Sequence, residues 1–222
     1  MSQQDPTQFL KLPKQALNKL KKSEPRMAIL IDCVGPFAMP APRQMDHLEA
    51  LCRAIVYQQL SGKAAATIFG RFRALFPAAS FPTAQQIQAL DDATLRGCGL
   101  SGQKVSYLRD LCRQFLEKPD LLAGVDHLDD ELIVGRLTQV RGLGRWSAEM
   151  FLMFHLGRLD VWPQADLGIR KGVQRLHGLA DLPTLKQMPA LGAPYAPYRS
   201  VAAWYLWRLL ELPNDTFAEA VS

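Results

Sequence analysis

Residues Leu137–Gly172 read LTQVRGLGRWSAEMFLMFHLGRLDVWPQADLGIRKG. Apolar residues at helical spacing lead into Gly142-Leu143-Gly144. A second apolar helix begins near Arg145 and runs out near Gly157. Pro163 favours an extended Trp162 before it. The link then delivers Asp166 to the start of a third helix, opened by Leu167-Gly168-Ile169.

Glycine tolerates positive φ and close backbone approach. The first amides of a helix have no intrahelical acceptor and carry the positive end of its dipole, so the turn is a natural seat for a phosphate. Leu143 can plug back into the core. Leu137 and Val140 can close on Ala148 and Phe151. Gly-x-Gly alone is better described as an ordinary corner with a glycine cap, but the full string L-x-x-V-x-G-L-G-x-x-S-A is much narrower.

Asp166 reads as an N-cap, a common place for aspartate. Helix amides at that position would hold the carboxylate ionised. A lasting anion there could stabilise positive charge on a sugar and orient or deprotonate a water, as carboxylates do in glycoside cleavage. The nearby Asp160 reads as a local cap or ion-pair partner.

Outside this stretch, three- and four-residue apolar spacing dominates and period-2 alternation is almost absent, which indicates helices. The spacing predicts helices over Thr7–Lys22, Arg26–Val34, Met45–Leu60, Lys63–Phe76, Thr83–Leu90, Asp92–Cys98 and Gln103–Glu117. It predicts others over Asp129–Val140, Arg145–Leu156, Leu167–Leu176 and Tyr198–Leu212. Breaks fall at Gly35-Pro36, Pro40–Pro42, Pro77, Pro82, Gly97–Gly102, Pro163 and Ala190–Pro197. The expectation from spacing is an all-α fold of two helical lobes with a groove between them. Residues 1–45 plus 180–222 would form one lobe. Residues 46–179 would form the other, with the hairpin at 129–156.

The 222 residues carry a net charge of +5, compatible with a polyanionic partner but shared by many unrelated enzymes. No apolar run long enough to span a bilayer occurs, and no apolar signal core follows the early lysines. A soluble intracellular monomer is expected, cytoplasmic or nucleoid-associated in a bacterium and nuclear in a eukaryote. Cys33, Cys52, Cys98 and Cys112 lack metal-finger spacing and sit in apolar surroundings. They argue against a disulfide scaffold, a zinc site and a cysteine-held iron–sulfur cluster. His47, His127, His155 and His177 show no ligand spacing.

Five ordered motifs carry a resemblance. They are VYQQLSGKAA (Val56–Ala65), GLSGQK (Gly99–Lys104), RGLGRWSAEMFLMF (Arg141–Phe154), DVWPQADLGIRKG (Asp160–Gly172) and PYRSVAAWYLW (Pro197–Trp207). Together they resemble the HhH-GPD superfamily of DNA glycosylases, in its 3-methyladenine DNA glycosylase II branch, which implies an all-α fold of two helical lobes with a DNA-binding cleft, containing a helix-hairpin-helix motif. The match spans Met45 to Leu212, as in the compact form without an extra N-terminal β domain.

The resemblance implies a catalytic role for Asp166. Trp146 stands where lyase-capable relatives have a lysine, so no Schiff base with the sugar is expected. The implied enzyme is monofunctional and leaves an abasic site in double-stranded DNA after excising an alkylated purine. Trp146 and Trp207 would line the base pocket, where an electron-rich indole favours a cationic base. Met150 and Leu167 stand where one family branch has tyrosines, which thins the aromatic wall. Gln59, with Leu60 beside it, would fill the hole left by the everted nucleotide. Gly142, Gly144, Arg145, Ser147 and Lys104 would contact phosphates. Backbone carbonyls of Thr138, Val140 and Leu143 would hold a K+ or Na+ ion, with no cofactor required for catalysis. Arg199 and Ser200 read as structural. Three alternatives stay open: a glycosylase/lyase for oxidised bases, a glycosylase for deaminated or etheno bases, and a non-catalytic hairpin module.

Overall fold

Side chains that cap helix starts account for most element boundaries in the computed structural model, which describes residues 9–43, 45–77 and 81–221. In chain order the helices are α1 (Ala16–Ser23), α2 (Pro25–Val34), α3 (His47–Tyr57), α4 (Gly62–Ala74), α5 (Ala84–Ala89), α6 (Asp92–Gly97) and α7 (Gly102–Glu117). There follow α8 (Asp130–Leu137), α9 (Arg145–Phe154), α10 (Leu167–His177), α11 (Met188–Gly192), α12 (Arg199–Leu209) and α13 (Asn214–Val221). Asp46, Thr83, Asp91, Ser101, Asp129 and Asp166 each accept a backbone amide of the turn they open. Thr83 and Gln86 close a reciprocal capping box, with bonds of 2.9 and 3.2 Å. Among the described residues the β pairing is one isolated antiparallel bridge, Phe9 to Pro40. The fold is all-α, as expected. No described helix is long and apolar enough to cross a membrane.

Three expectations are corrected. The first helix starts at Ala16 rather than Thr7, a residue outside those described. Leu10 instead donates to Met39 O at 2.9 Å, and Pro13 lies ahead of the helix. The break expected at Ala190–Pro197 contains α11 and a 3-10 turn at Ala193–Tyr195. A five-residue helix and a single 3-10 turn are too short to show an apolar period, and α13 lies beyond the last expected helix.

The chain divides into two compact units, residues 1–43 with 152–222 and residues 44–151. The expected border near 180 is therefore displaced, and 152–179 joins the terminal segments. The cause is α10, which packs on α12 and α2. At Gly172 a Cβ would lie 2.8 Å from Leu206 O, so only glycine permits that approach of α10 to α12. Leu20, Met27, Leu30, Met39, Tyr195 and Tyr205 lie fully buried in this unit.

In the second unit α7 packs on α3, α5 and α6, and α3 packs on α4. Leu51, Ile55, Phe72, Ile87, Leu95 and Leu108 form its fully buried centre. Cys52, Cys98 and Cys112 are buried free thiols here, and Cys33 is half-buried in the other unit. Burial pushes the Cys112 thiol up to about 12. It also raises Cys52 and Cys98. These cysteines behave as small core residues.

Candidate active site

The hairpin is built from α8, the turn and α9. Leu137, Val140, Leu143, Ala148 and Phe151 are all buried, as the apolar pattern requires. Val140 N donates to Leu137 O at 3.0 Å and Leu143 N to Val140 O at 3.1 Å, which tightens the turn. Gly142 has φ +87°. A Cβ there would sit 2.3 Å from the Tyr107 ring, so glycine is demanded by both backbone and neighbour. Helix geometry leaves the amides of Arg145, Trp146 and Ser147 without intrahelical acceptors at the start of α9.

Contacts from α7 and from the end of α3 fix this turn. Arg141 N donates to Asp110 Oδ2 at 2.7 Å. Burial works to raise the Asp110 carboxyl, but the Arg141 amide and Arg113 outweigh it and hold it below the usual value. Gln58 Nε2 donates to Gly142 O at 2.9 Å, tying the 57–60 turn to the hairpin. That residue was not singled out from sequence.

Residues 57–60 form a β-turn. Gln58 has φ −54° and ψ 131°, Gln59 has φ +57°, and Leu60 N donates to Tyr57 O at 3.4 Å. This is type II geometry, in which the third residue is ordinarily glycine or asparagine. Gln59 is thus a side chain held at the turn tip against its backbone preference. Gln59 is exposed and Leu60 is 39% exposed.

Two expected phosphate contacts have other partners. Lys104 Nζ donates to Val56 O at 2.7 Å and Gln58 O at 2.8 Å, capping the end of α3, and burial lowers its pKa. Arg145 pairs with Glu131 at two nitrogens and with Glu149 at 3.1 Å. Gly144 is exposed and Ser147 half-buried. Val140 O already accepts the Leu143 amide, but a carbonyl keeps a second lone pair. The three oxygens of Thr138, Val140 and Leu143 therefore remain a suitable donor type for a hard cation.

Asp166 belongs to the other unit, where four contacts anchor its link. Asp160 holds Arg199 in a two-oxygen ion pair, with both bonds at 2.8 Å. Buried Ser200 donates to Arg158 O at 2.7 Å and accepts Val161 N at 2.9 Å. Trp162 Nε1 donates to Met188 O at 2.8 Å, and its ring lies over Gly192, where a Cβ would fall 2.4 Å away. Asp166 N donates to Pro163 O at 2.9 Å. Arg199 and Ser200 are structural, as read. Asp160 pairs with Arg199, 39 residues along the chain, rather than locally as expected.

The Asp166 carboxylate is half-buried. Its Oδ1 accepts Ile169 N at 2.8 Å, which is the N-cap bond, and Trp207 Nε1 at 3.0 Å. Trp207 stacks on Phe154, with centroids 5.9 Å apart and planes 23° apart. Phe154, a pocket-type aromatic that sequence reasoning passed over, is 41% exposed. Its exposed place on an otherwise apolar helix cannot be read from periodicity. Leu167 is 53% exposed beside Asp166. Trp146, 45% exposed, and half-buried Met150 belong to the hairpin unit.

Comparison with known proteins bears on this arrangement. Residues 52–195 match the model of the HhH-GPD superfamily base excision DNA repair proteins. DNA-3-methyladenine glycosylase 1 of Schizosaccharomyces pombe is 38% identical over 172 residues, covering 77% of this chain and 75% of that protein. The solved structure of a 3-methyladenine DNA glycosylase from the same yeast, in complex with abasic DNA, superposes with a TM-score of 0.77. That superposition has 35% identity and covers 90% of this chain and 98% of that one. A Bacillus halodurans DNA-3-methyladenine glycosidase crystal structure gives a TM-score of 0.70 at 32% identity, covering 88% and 92%. The capped carboxylate, the glycine hairpin and these likenesses agree: the chain belongs to the HhH-GPD superfamily of base excision DNA repair proteins.

Proposed function

We propose that this protein is a monofunctional DNA glycosylase that hydrolyses the N-glycosidic bond of alkylated purines, of the 3-methyladenine and 7-methylguanine type, in double-stranded DNA. The observation that carries the reading is the Asp166 carboxylate, oriented by Ile169 N and Trp207 Nε1 at the head of α10. Relatives named for 3-methyladenine support the substrate class.

The target nucleotide leaves the base stack at a cost of about a few kcal/mol. Alkylation at N3 or N7 makes the purine cationic. The C1′–N bond then breaks with its electron pair going to the base, which departs neutral without a strong general acid. Positive charge moves to the sugar, where the Asp166 anion stabilises it. A water adds at C1′ and gives up its proton, with Asp166 able to accept or orient it. The hairpin amides hold the backbone while this occurs. A monovalent cation at the Thr138, Val140 and Leu143 carbonyls would add positive charge beside those amides.

The position of Trp146 supports hydrolysis without strand cleavage, because an indole offers no amine for a Schiff base. The test uses duplexes with one 7-methylguanine. Free base should appear, with strand breaks only after alkali, and borohydride should trap no covalent complex. Breaks without alkali, or a trapped adduct, would overturn the monofunctional assignment; no free base would overturn the glycosylase.

The strained turn gives a second prediction. Gln59→Gly removes the cost of a side chain at positive φ, about 1 kcal/mol, which offsets the entropy cost of glycine. The Tm should therefore stay level or rise. Excision should fall about tenfold or more, because the everted base's vacancy loses its filler and flipping costs a few kcal/mol. A lower Tm with unchanged excision would assign Gln59 a structural role instead.

A further inference from the structure

We infer that Trp207 is a positioning residue for Asp166, acting through its indole N–H, and that Gly168 keeps open the gap in which the two meet. This rests on the catalytic reading of Asp166 and assigns Trp207 a different part from that of a wall against the base.

The geometry carries it. One carboxylate oxygen, Oδ1, accepts both Ile169 N and Trp207 Nε1. The first donor is part of α10 and the second comes from α12, so the carboxylate is referenced to two helices. A cap bond alone leaves the group able to swivel about its own side-chain torsions; a second donor from another helix removes that freedom. The indole is itself held, because its ring stacks on Phe154 at 5.9 Å. An N–H directed at an anion is a charge-assisted bond, stronger than a neutral one.

Gly168 completes the argument. A Cβ at this position would lie 2.9 Å from Trp207 Cδ1, 3.0 Å from Trp207 Nε1 and 3.0 Å from Asp166 Oδ1. The methyl would wedge between donor and acceptor. Glycine here is not required by a left-handed backbone; positive φ occurs at other glycines. In a helix, alanine would otherwise be the better residue. The space is thus reserved for the hydrogen bond.

The test compares Trp207→Phe with Gly168→Ala in the full chain. Phenylalanine keeps an aromatic ring against Phe154 and removes the donor together with part of the indole volume, and Gly168→Ala, which keeps the whole indole, controls for that loss. Alanine keeps the indole and separates it from the carboxylate. Single-turnover release of 7-methylguanine should slow by about ten- to a hundredfold in each, the rate equivalent of one hydrogen bond to a charged group. KM should barely change, because the ground-state contact with DNA is intact. The double variant should be little slower than either single one, since both remove the same interaction.

An independent readout is the indole N–H resonance. The chain has four tryptophans. In an 15N-labelled sample Trp207→Phe identifies the signal by its disappearance. Asp166→Asn should move that signal more than the other three, because its acceptor loses charge. Wild-type kcat in both variants, or a rise in KM alone, overturns the positioning role. A Trp207 signal indifferent to Asp166→Asn overturns the hydrogen bond. Absence of base release by the wild-type protein would instead sink the glycosylase reading, and the resonance shift would still report the contact.

Discussion

Asp166→Asn is expected to slow base release by about a thousandfold or more while leaving the fold and DNA affinity near their wild-type levels. The two effects separate because the residue does two jobs. As the N-cap of α10 it accepts Ile169 N, and asparagine caps a helix as well as aspartate does. In the proposed mechanism its anion stabilises charge developing at C1′, which a neutral amide would not. The variant should therefore melt with wild-type cooperativity. Fluorescence anisotropy on a duplex with an abasic site should give a Kd close to that of the parent. Release of 7-methylguanine, followed under single turnover, should nearly vanish. Turnover at the wild-type rate would remove Asp166 from the chemistry, whatever its effect on stability.

The second large effect is expected from Gly142→Ala, and it should fall on stability and DNA binding together. The φ of +87° costs an L-residue about 1–2 kcal/mol. The added methyl also meets the Tyr107 ring at 2.3 to 2.6 Å, closer than any van der Waals contact. Overpacking of that kind costs about 1–3 kcal/mol more. The ring has little room to retreat, because its hydroxyl is bonded to Gln103 Nε2 at 2.6 Å. Denaturant titration should therefore show a loss of about 3 kcal/mol. Binding to undamaged duplex should weaken as the turn amides shift. Adding Tyr107→Ala should recover the steric part and leave the backbone part. If the single substitution is neutral, the hairpin is softer than its geometry implies.

Local rules carried much of the fold. Caps and turn glycines are short-range chemistry, so α2 through α10 and α12 are legible to within a few residues. The same logic found Asp166, because a capped helix after a proline link needs no distant partner to be recognised. What escaped is long-range. Lys104 and Arg145 look like phosphate ligands in a basic stretch, yet one caps α3 and the other pairs with Glu131 and Glu149. The Lys104 acceptors lie 48 and 46 residues away and Glu131 lies 14 from Arg145, beyond any spacing rule, whereas the i,i+4 pair Arg145–Glu149 follows one. Trp207 is a similar case, since a tryptophan at helical spacing reads as core packing or a pocket wall until the carboxylate is seen beside its N–H. The domain border moved for a related reason: Gly172 signals a close helix contact only once Leu206 is known to face it.

The link that carries Asp166 is fastened by Asp160–Arg199, Ser200 and Trp162, while Leu167 and Trp146 contribute little to that fastening and stand well out toward solvent. Replacing a side chain so exposed ordinarily changes stability by no more than about 0.5 kcal/mol. Under the proposed function, the two side chains can therefore be exchanged to reshape what the pocket accepts while the contacts that hold the Asp166 carboxylate stay in place.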